Sequence, residues 1–239
     1  MSNMKHLRKV NLSHTKANDE VIKEMVNKCK KLEHILLENC LNVYEDCIEW
    51  ISDGLWQTLI TLNIDNINVS DEIIERVLKK SINLKNLSTS RLVYAIKRIH
   101  SSNENELNDN QCLDLNLESI SIDSNTTLKQ NEMESIALSC HKLKSLHISC
   151  IGSSNSFFYL NCFAYLNDLI IANTNSLISF QFGTYLLDAL KTSIGKQLRS
   201  LSLIYLVDVN LRSISVHCPN LVKLHVEFLG YYGNYILFK

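Results

Sequence analysis

The chain has 239 residues, of which 46% are hydrophobic, and its formal net charge is -1 because 25 acidic residues offset 24 basic ones. This balance argues against a nucleic acid or a membrane surface as partner, since the overall field attracts neither. The N-terminal residues lack the apolar core of a secretory signal, and no run of about eighteen apolar residues could span a membrane. We therefore expect a cytoplasmic protein, with the nucleus as the alternative.

One short pattern recurs along the chain: a leucine, two residues, an aliphatic residue, one residue and a second aliphatic residue. Successive leucines that open the pattern lie 23 to 33 residues apart, and only Thr89 breaks the aliphatic rule at the third position. The nine triplets are Leu7-Val10-Leu12, Leu32-Ile35-Leu37, Leu59-Leu62-Ile64, Leu84-Leu87-Thr89, Leu117-Ile120-Ile122, Leu143-Leu146-Ile148, Leu166-Leu169-Ile171, Leu198-Leu201-Leu203 and Leu221-Leu224-Val226. The spacing and the pattern are typical of leucine-rich repeats.

The repeats predict an α/β fold, a leucine-rich repeat solenoid or horseshoe with a concave parallel sheet and convex helices. We expect one domain, residues 1–239, of about nine repeats. Each triplet should form a strand whose aliphatic side chains enter the core, and a helix should follow on the outer side. Helix starts are predicted at Asn18 or Asp19 and at Ser70 or Asp71. The polar stretch near 100–112 predicts a loop insertion.

The eight cysteines indicate packing rather than disulfides. Cys29, Cys140 and Cys218 each precede the first leucine of a triplet by three residues, and Cys40 follows the second triplet by three. A small apolar side chain suits such a fixed repeat position. The cysteine clusters that generally close the ends of secreted repeat proteins are missing, so we expect reduced and mostly buried thiols.

Neither end of the pattern looks finished. It begins within seven residues of Met1, and it gives way to an apolar segment, residues 228–238, that is closed by Lys239. This segment either caps the last repeat or marks the edge of a longer array, because a terminal repeat needs cover for its core. We expect the chain to be part of a larger protein or a truncated product.

Three segments resemble the cysteine-containing leucine-rich repeats of F-box proteins. They are Cys218-Pro-Asn-Leu-Val-Lys-Leu-His-Val, Cys140-His-Lys-Leu-Lys-Ser-Leu-His-Ile, and Cys29-Lys-Lys-Leu-Glu-His-Ile-Leu-Leu with its following Cys40. In that family the repeats hold a substrate protein, while a separate F-box docks onto the adaptor of an SCF-type (cullin–RING) ubiquitin ligase. The resemblance implies a substrate-recognition role in protein ubiquitination. An F-box normally opens with leucine and proline, and the only proline here is Pro219, so ligase subunits would bind through a missing region or a separate partner.

Two other functions compete with this one. The first alternative is a stand-alone repeat scaffold or adaptor unrelated to ubiquitination. The second is an enzyme, for which the sequence offers no glycine-rich phosphate loop, no nucleophile elbow and no cysteine pairs at metal spacing. His141 and His147 are most simply surface residues. We therefore predict no catalytic residue, no metal site and no cofactor.

The outward strand positions should form the binding surface, with a protein as the partner. Apolar residues at predicted exposed positions are candidate anchors, acidic residues after the triplets would favour a basic segment of a partner, and two histidines share the central column. The candidate residues are Leu36, Glu38, Asp65, Asp123, His147, Ile170, Ile204, His225 and Glu227. The competing interpretation is a solvated rim with a few ordinary exposed aliphatics.

Overall fold

The computed structural model of the chain describes residues 4–105, 114–122, 128–149, 154–172, 182–206 and 209–227. The chain divides into two compact units, Met1–Glu118 and Ser119–Lys239. The expectation of a single domain concerns how the units are arranged, and it stays a prediction.

The first unit alternates four strands with four helices among its described residues. Neighbouring strands pair in parallel and in chain order, from β1 through β4. The elements are β1 (Lys9–Asn11), α1 (Asp19–Lys28), β2 (His34–Leu36), α2 (Glu45–Leu55), β3 (Thr61–Asn63), α3 (Asp71–Lys80), β4 (Asn86–Ser88) and α4 (Leu92–Asn105).

The second unit continues the alternation with five further strands in the part of the chain that the structure describes. These strands also pair in parallel and in chain order, from β5 through β9. The elements are β5 (Ser119–Ile122), α5 (Gln130–Ser139), β6 (Ser145–Ile148), a 3-10 helix (Ser154–Cys162), β7 (Asp168–Ala172), α6 (Phe182–Leu190), α7 (Ser193–Gln197), β8 (Ser200–Ile204), α8 (Leu211–His217) and β9 (Lys223–Glu227). A repeating α/β fold with parallel strands is thus confirmed.

Each strand contains the second aliphatic residue of one triplet, and these residues stand in register on neighbouring strands. Val10 pairs with Ile35 and Ile35 with Leu62, while Leu146 pairs with Leu169. The constant register follows from the period-two alternation, since a slip of one residue would turn every aliphatic side chain out of the core.

The triplet residues form the core of both units. All three aliphatic residues are at most 2% exposed in the triplets that begin at Leu32, Leu59, Leu117, Leu143, Leu166 and Leu198. Thr89, the one exception to the aliphatic rule, is also buried. In the first and last triplets all three residues are only half-buried, and each of these triplets has a neighbouring repeat on one side among the described residues.

The three cysteines at the fixed repeat position have one structural role. Cys29, Cys140 and Cys218 each cap the C-terminus of a helix, and each backbone N–H donates to the carbonyl four residues before it. All three side chains are buried, and burial raises the pKa of the Cys218 thiol to about 11. At neutral pH this thiol is therefore protonated, as a packing residue should be. Among the described cysteines Cys162 is exposed.

Acidic residues at the first helical position link neighbouring repeats of the first unit. The Asp19 carboxylate accepts from the backbone N–H of Tyr44 at 2.9 Å, and the Glu45 carboxylate accepts from that of Ser70 at 2.8 Å. Each carboxylate thus accepts a hydrogen bond from the backbone N–H of the residue that precedes the next helix. Asn18 is the N-cap of α1 as predicted, and it accepts from the Val21 N–H at 3.2 Å. Ser70 occupies the N-cap of α3, but its hydroxyl donates to Glu45 instead.

A second link between repeats uses the side-chain amide just before the first leucine. Asn83 donates to the Gln57 carbonyl at 2.7 Å, and Asn116 donates to that of Ile82 at 2.8 Å. The second unit has the same contact from Asn220. Backbone carbonyls at the exposed turns between repeats thereby accept a hydrogen bond from the neighbouring repeat.

The predicted loop near 100–112 needs a correction at its start. Helix α4 continues through Asn105, and it is anchored by Ile96 and Ile99, which are fully buried. A helix that already has a buried apolar face extends more easily than a new one starts, so the polar residues 100–105 join it. Residues 106–112 lie outside the described residues. None of the described helices is both long and apolar enough to cross a membrane.

Candidate functional site

In each unit the strand side chains that alternate with the core form one surface, which we call the open strand face. In the first unit its central strand columns are His34, Thr61 and Asn86, and Leu36, Asn63 and Ser88. In the second unit they are Ser145, Asp168, Ser200 and Lys223, and His147, Ile170, Ser202 and His225. The register of the strands therefore produces the columns that the sequence predicts.

The open strand face of the first unit is polar and internally hydrogen-bonded. The Nδ1 atom of His34 lies 3.0 Å from the Thr61 hydroxyl oxygen, and the Asn86 amide donates to the same oxygen at 3.3 Å. Ser88 donates to the Asp65 carboxylate. These hydrogen bonds join side chains of neighbouring repeats, and they restrain the side chains of the open strand face.

The strand ends carry a recurring left-handed residue. His14, Asn39 and Asn66 have φ of 62°, 57° and 61°, and Tyr205 in the second unit has φ of 58°. Asparagine tolerates this conformation better than most residues, whereas tyrosine does not. The backbone N–H of Asn39 donates to the Asp65 carbonyl at 3.0 Å. The loops bearing Glu38 and Asp65 are therefore adjacent, as the predicted acidic column requires.

His147 is the centre of a polar cluster in the second unit. Its Nδ1 lies 3.2 Å from the Ser121 hydroxyl and its Nε2 lies 3.3 Å from the Ser149 hydroxyl. The hydroxyl of Ser145 donates to the Asp168 carboxylate at 3.1 Å on the neighbouring strand. Burial lowers the pKa of His147, and the negative charge of Asp168 opposes that shift. The imidazole therefore gives up its proton more readily than a solvated histidine does.

This cluster lacks the order of a nucleophilic triad. In such a triad a carboxylate orients the histidine and the histidine activates a serine. Here both imidazole nitrogens face hydroxyl groups, and the Asp168 carboxylate accepts from Ser145. The described residues also contain no group of three or more His, Cys, Asp or Glu side chains arranged to hold a metal ion. The arrangement places imidazole, hydroxyl and carboxylate groups side by side on this face.

Two predicted apolar anchors lie within the open strand face of the second unit. Ile170 stands between His147 and Ser202 in the central column, and Ile204 pairs in register with Glu227. Both isoleucines are half-buried rather than exposed, because neighbouring columns flank them. His225 lies 3.8 Å from the Glu227 carboxylate. Each isoleucine thus stands in register beside an ionisable residue of a neighbouring strand, Ile170 beside His147 and Ile204 beside Glu227.

The predicted candidate residues fall into two groups. Leu36, Glu38 and Asp65 lie in the first unit, all of them half-buried, and the other described candidates lie in the second. Asp123 lies outside the described residues. The sequence interpretation missed the support from Ser88 and Asn39. Asn39 and Asn66 each follow a strand by three residues, and asparagine at such a place is a signal for a left-handed turn. Nothing in the sequence indicates the left-handed backbone of Tyr205.

Helix-side grooves offer other surfaces. A groove of about 520 Å³ beside α3 and α4 is lined by charged side chains, among which Arg98 pairs with Glu72 and Glu75. A second groove of about 290 Å³ lies between the 3-10 helix and α6, and it includes Phe158, whose side chain is 74% exposed. The first is a largely exposed ion-pair network, and exposed ion pairs contribute little to stability. The second carries one carboxylate, Asp188.

Comparison with known proteins adds no assignment. A scan of the chain against protein-family models found no match, and a search of the curated proteins also found none.

Proposed function

We propose that the chain is a leucine-rich repeat module for protein–protein interaction that binds its partner on the open strand face. The observation that carries this proposal is the in-register columns on consecutive parallel strands, which repeat the same outward positions in each unit. Each repeat adds one strand, and therefore one residue to each column, to this surface. An elongated surface of this kind suits an extended protein partner.

The contacts of Cys40 support the leucine-rich repeat class. The leucine-rich repeat pattern places asparagine or cysteine three residues after its third aliphatic position, and Cys40 has that position after Leu37. Its thiol donates to the carbonyl oxygen of Leu12 in the preceding repeat at 2.9 Å. Thr15 has the same position in the first repeat, and its hydroxyl also donates to Leu12. Both donors thus satisfy the Leu12 carbonyl. Other described repeats have an aliphatic side chain at this position, namely Ile67, Leu92 and Leu206.

The composition of the open strand face supports a protein partner. Ile170 and Ile204 offer apolar contact beside the polar groups of His147, His225 and Glu227. Apolar anchors within a polar rim are typical of protein interfaces. The acidic residues Glu38 and Asp65 add electrostatic preference for a basic segment, acting on association rate more than on affinity.

Within this class we propose substrate recognition for a cullin–RING ubiquitin ligase, as the resemblance to F-box repeats implies. The competing proposal is a scaffold unrelated to ubiquitination. Affinity purification of the chain followed by mass spectrometry distinguishes the two. Recovery of cullin and adaptor subunits together with a further protein supports the ligase role. Recovery of other partners without ligase subunits contradicts that role and supports the scaffold.

A matched control tests whether the captured proteins bind specifically. Val216 lies on α8 and is 65% exposed, away from the strands. The Val216→Lys variant should capture the same proteins as the parent chain. Loss of the whole set in this variant would contradict binding on the open strand face.

A further inference from the structure

One column of the open strand face in the first unit carries two asparagines in the same arrangement. The column consists of Asn11, Leu36, Asn63 and Ser88, which stand in register on β1 to β4. We call it the asparagine column, and it lies within residues 4–105, an unbroken run of described residues. Asn11 is exposed, while Leu36 and Asn63 are half-buried.

The amide oxygens of both asparagines are bound to the chain itself. The Asn11 Oδ1 accepts from the backbone N–H of Ser13 at 2.9 Å, and the Asn63 Oδ1 accepts from that of Asp65 at 2.9 Å. Because a backbone N–H can only donate, the atom that faces it is the oxygen, and the orientation of each amide is thereby assigned. In the part of the chain that the structure describes, neither NH2 group makes a hydrogen bond. The column thus presents two donors.

The spacing of these donors matches one kind of extended chain. Asn11 and Asn63 are two strands apart, and neighbouring strands lie about 4.8 Å apart, so the two NH2 groups are separated by about 9.6 Å. A polyproline II segment repeats every three residues, or about 9.3 Å, and its carbonyls make no internal hydrogen bond. In a β-strand the carbonyls on one side recur every two residues, or about 6.7 Å, so they miss the second donor.

We propose that the asparagine column binds a proline-rich segment of the partner in the polyproline II conformation. The segment crosses the strands, and two of its carbonyls, three residues apart, accept from Asn11 and Asn63. Proline suits a surface of donors because it has a carbonyl but no backbone N–H. Leu36 lies between the two asparagines and offers apolar contact to a proline ring. The proposal rests on the proposed function, since it names the segment that the open strand face of the first unit recognises.

The charge beside the column adds a preference for a basic residue in the segment. Glu38 follows Leu36 by two residues and Asp65 follows Asn63 by two, so both carboxylates flank the same side of the column. The backbone N–H of Asn39 donates to the Asp65 carbonyl, which holds the two loops together. A lysine or arginine among the prolines is therefore attracted to this edge of the column.

A nuclear magnetic resonance titration of the full chain tests the proposal with a capped, uncharged nonaproline as the probe. The side-chain NH2 signals of Asn11 and Asn63 should shift together, and each signal is identified by its loss in the Asn11→Asp or Asn63→Asp variant. Aspartate keeps the oxygen that accepts from the backbone and removes the donor, so each variant should bind nonaproline about tenfold more weakly. Asn27 is exposed on α1, and Asn27→Asp is the matched control, which should bind as the parent chain does.

Two further peptides test the conformation and the charge of the segment. A capped glycine–serine nonapeptide is flexible, and it should bind about tenfold more weakly than nonaproline because it pays the entropy of becoming extended. Nonaproline with a central lysine should bind about threefold more tightly than nonaproline at low salt. The Glu38→Gln variant should lose that gain.

Three results would overturn the proposal, provided that circular dichroism shows each variant to be folded. The first is nonaproline that leaves the NH2 signals of Asn11 and Asn63 in place. The second is unchanged affinity in both aspartate variants, and the third is equal affinity for the glycine–serine peptide. Affinity purification tests the proposed function with proteins rather than peptides. Partners captured on the open strand face without a proline-rich segment would therefore support that function while this proposal fails.

Discussion

At the scale of single residues, one position shows how closely the second unit is packed. Gly195 precedes Leu198 by three residues, the position that Cys218 and Cys140 hold in other repeats. A Cβ atom on Gly195 would overlap the Leu190 carbonyl oxygen and lie 2.6 Å from that of His217. Both obstacles are backbone atoms, so a side chain at this position cannot be accommodated by a change of rotamer.

We predict that Gly195→Ala lowers the free energy of unfolding by about 2 kcal/mol. Overpacking against backbone costs up to about 3 kcal/mol, and the gain in helix propensity returns about 1 kcal/mol. Urea denaturation measures the change. The control is Ser81→Ala at the equivalent position of the first unit, where the buried hydroxyl oxygen has no hydrogen-bond partner. This variant should be neutral or slightly stabilising. An unchanged Gly195→Ala variant would refute the close packing.

His147 provides a prediction about charge. Burial lowers its pKa and Asp168 partly opposes the shift, so Asp168→Asn should lower that pKa further. A nuclear magnetic resonance titration of the imidazole protons measures it, with Asp188→Asn on the exposed face of α6 as the control. An unchanged or higher pKa after Asp168→Asn would show that the Asp168 carboxylate does not act on the His147 imidazole.

The same shift has a consequence for stability. Because the pKa of His147 is lower in the folded than in the unfolded chain, the unfolded state takes up the proton first as the pH falls. The contribution of this group is therefore complete above the usual value of 6.5 and is lost progressively below it.

At the scale of elements, the strands follow directly from the sequence. Three-residue alternation defines β2 and β3 and sets their register, because only one alignment buries Ile35 and Leu62 together. The contacts between repeats were less predictable. Glu45 accepts from the backbone N–H of Ser70, and Asn83 donates to the backbone carbonyl of Gln57. Both contacts depend on which backbone groups come close to each other in the folded chain. A polar residue outside the pattern gives no such information.

The element-scale prediction concerns the core register. Leu146 and Leu201 are fully buried on β6 and β8, so Leu146→Ala and Leu201→Ala should each cost roughly 2–5 kcal/mol in the free energy of unfolding. Ser121, an exposed residue on β5, provides the control. Ser121→Ala gives up one exposed contact with His147 and should cost no more than about 1 kcal/mol. Losses below about 1 kcal/mol at both leucines would show that the register is wrong.

At the scale of the whole molecule, the repeating pattern predicts the class of fold and the location of a surface, but not its partner. The positions of Ile170 and Ile204 were predictable because the alternation fixes which strand residues face outward. Their half-burial was not, since it depends on the neighbouring columns. Likewise, no repeat pattern could place Tyr205 in the left-handed region. Partner identity depends on side chains that the scaffold leaves free to vary.

We propose that the open strand face, rather than the helix side, binds a protein. Quantitative mass spectrometry of captured proteins tests it with two matched pairs of substitutions to lysine. Ile170→Lys with Ile204→Lys alters the open strand face, and Val216→Lys with Phe158→Lys alters exposed apolar residues of the helix side. We predict that the first pair reduces specific capture about 30-fold, as the loss of about 2 kcal/mol at an interface anchor implies. The second pair should leave capture unchanged. The reverse result, with both double variants folded, would contradict the claim.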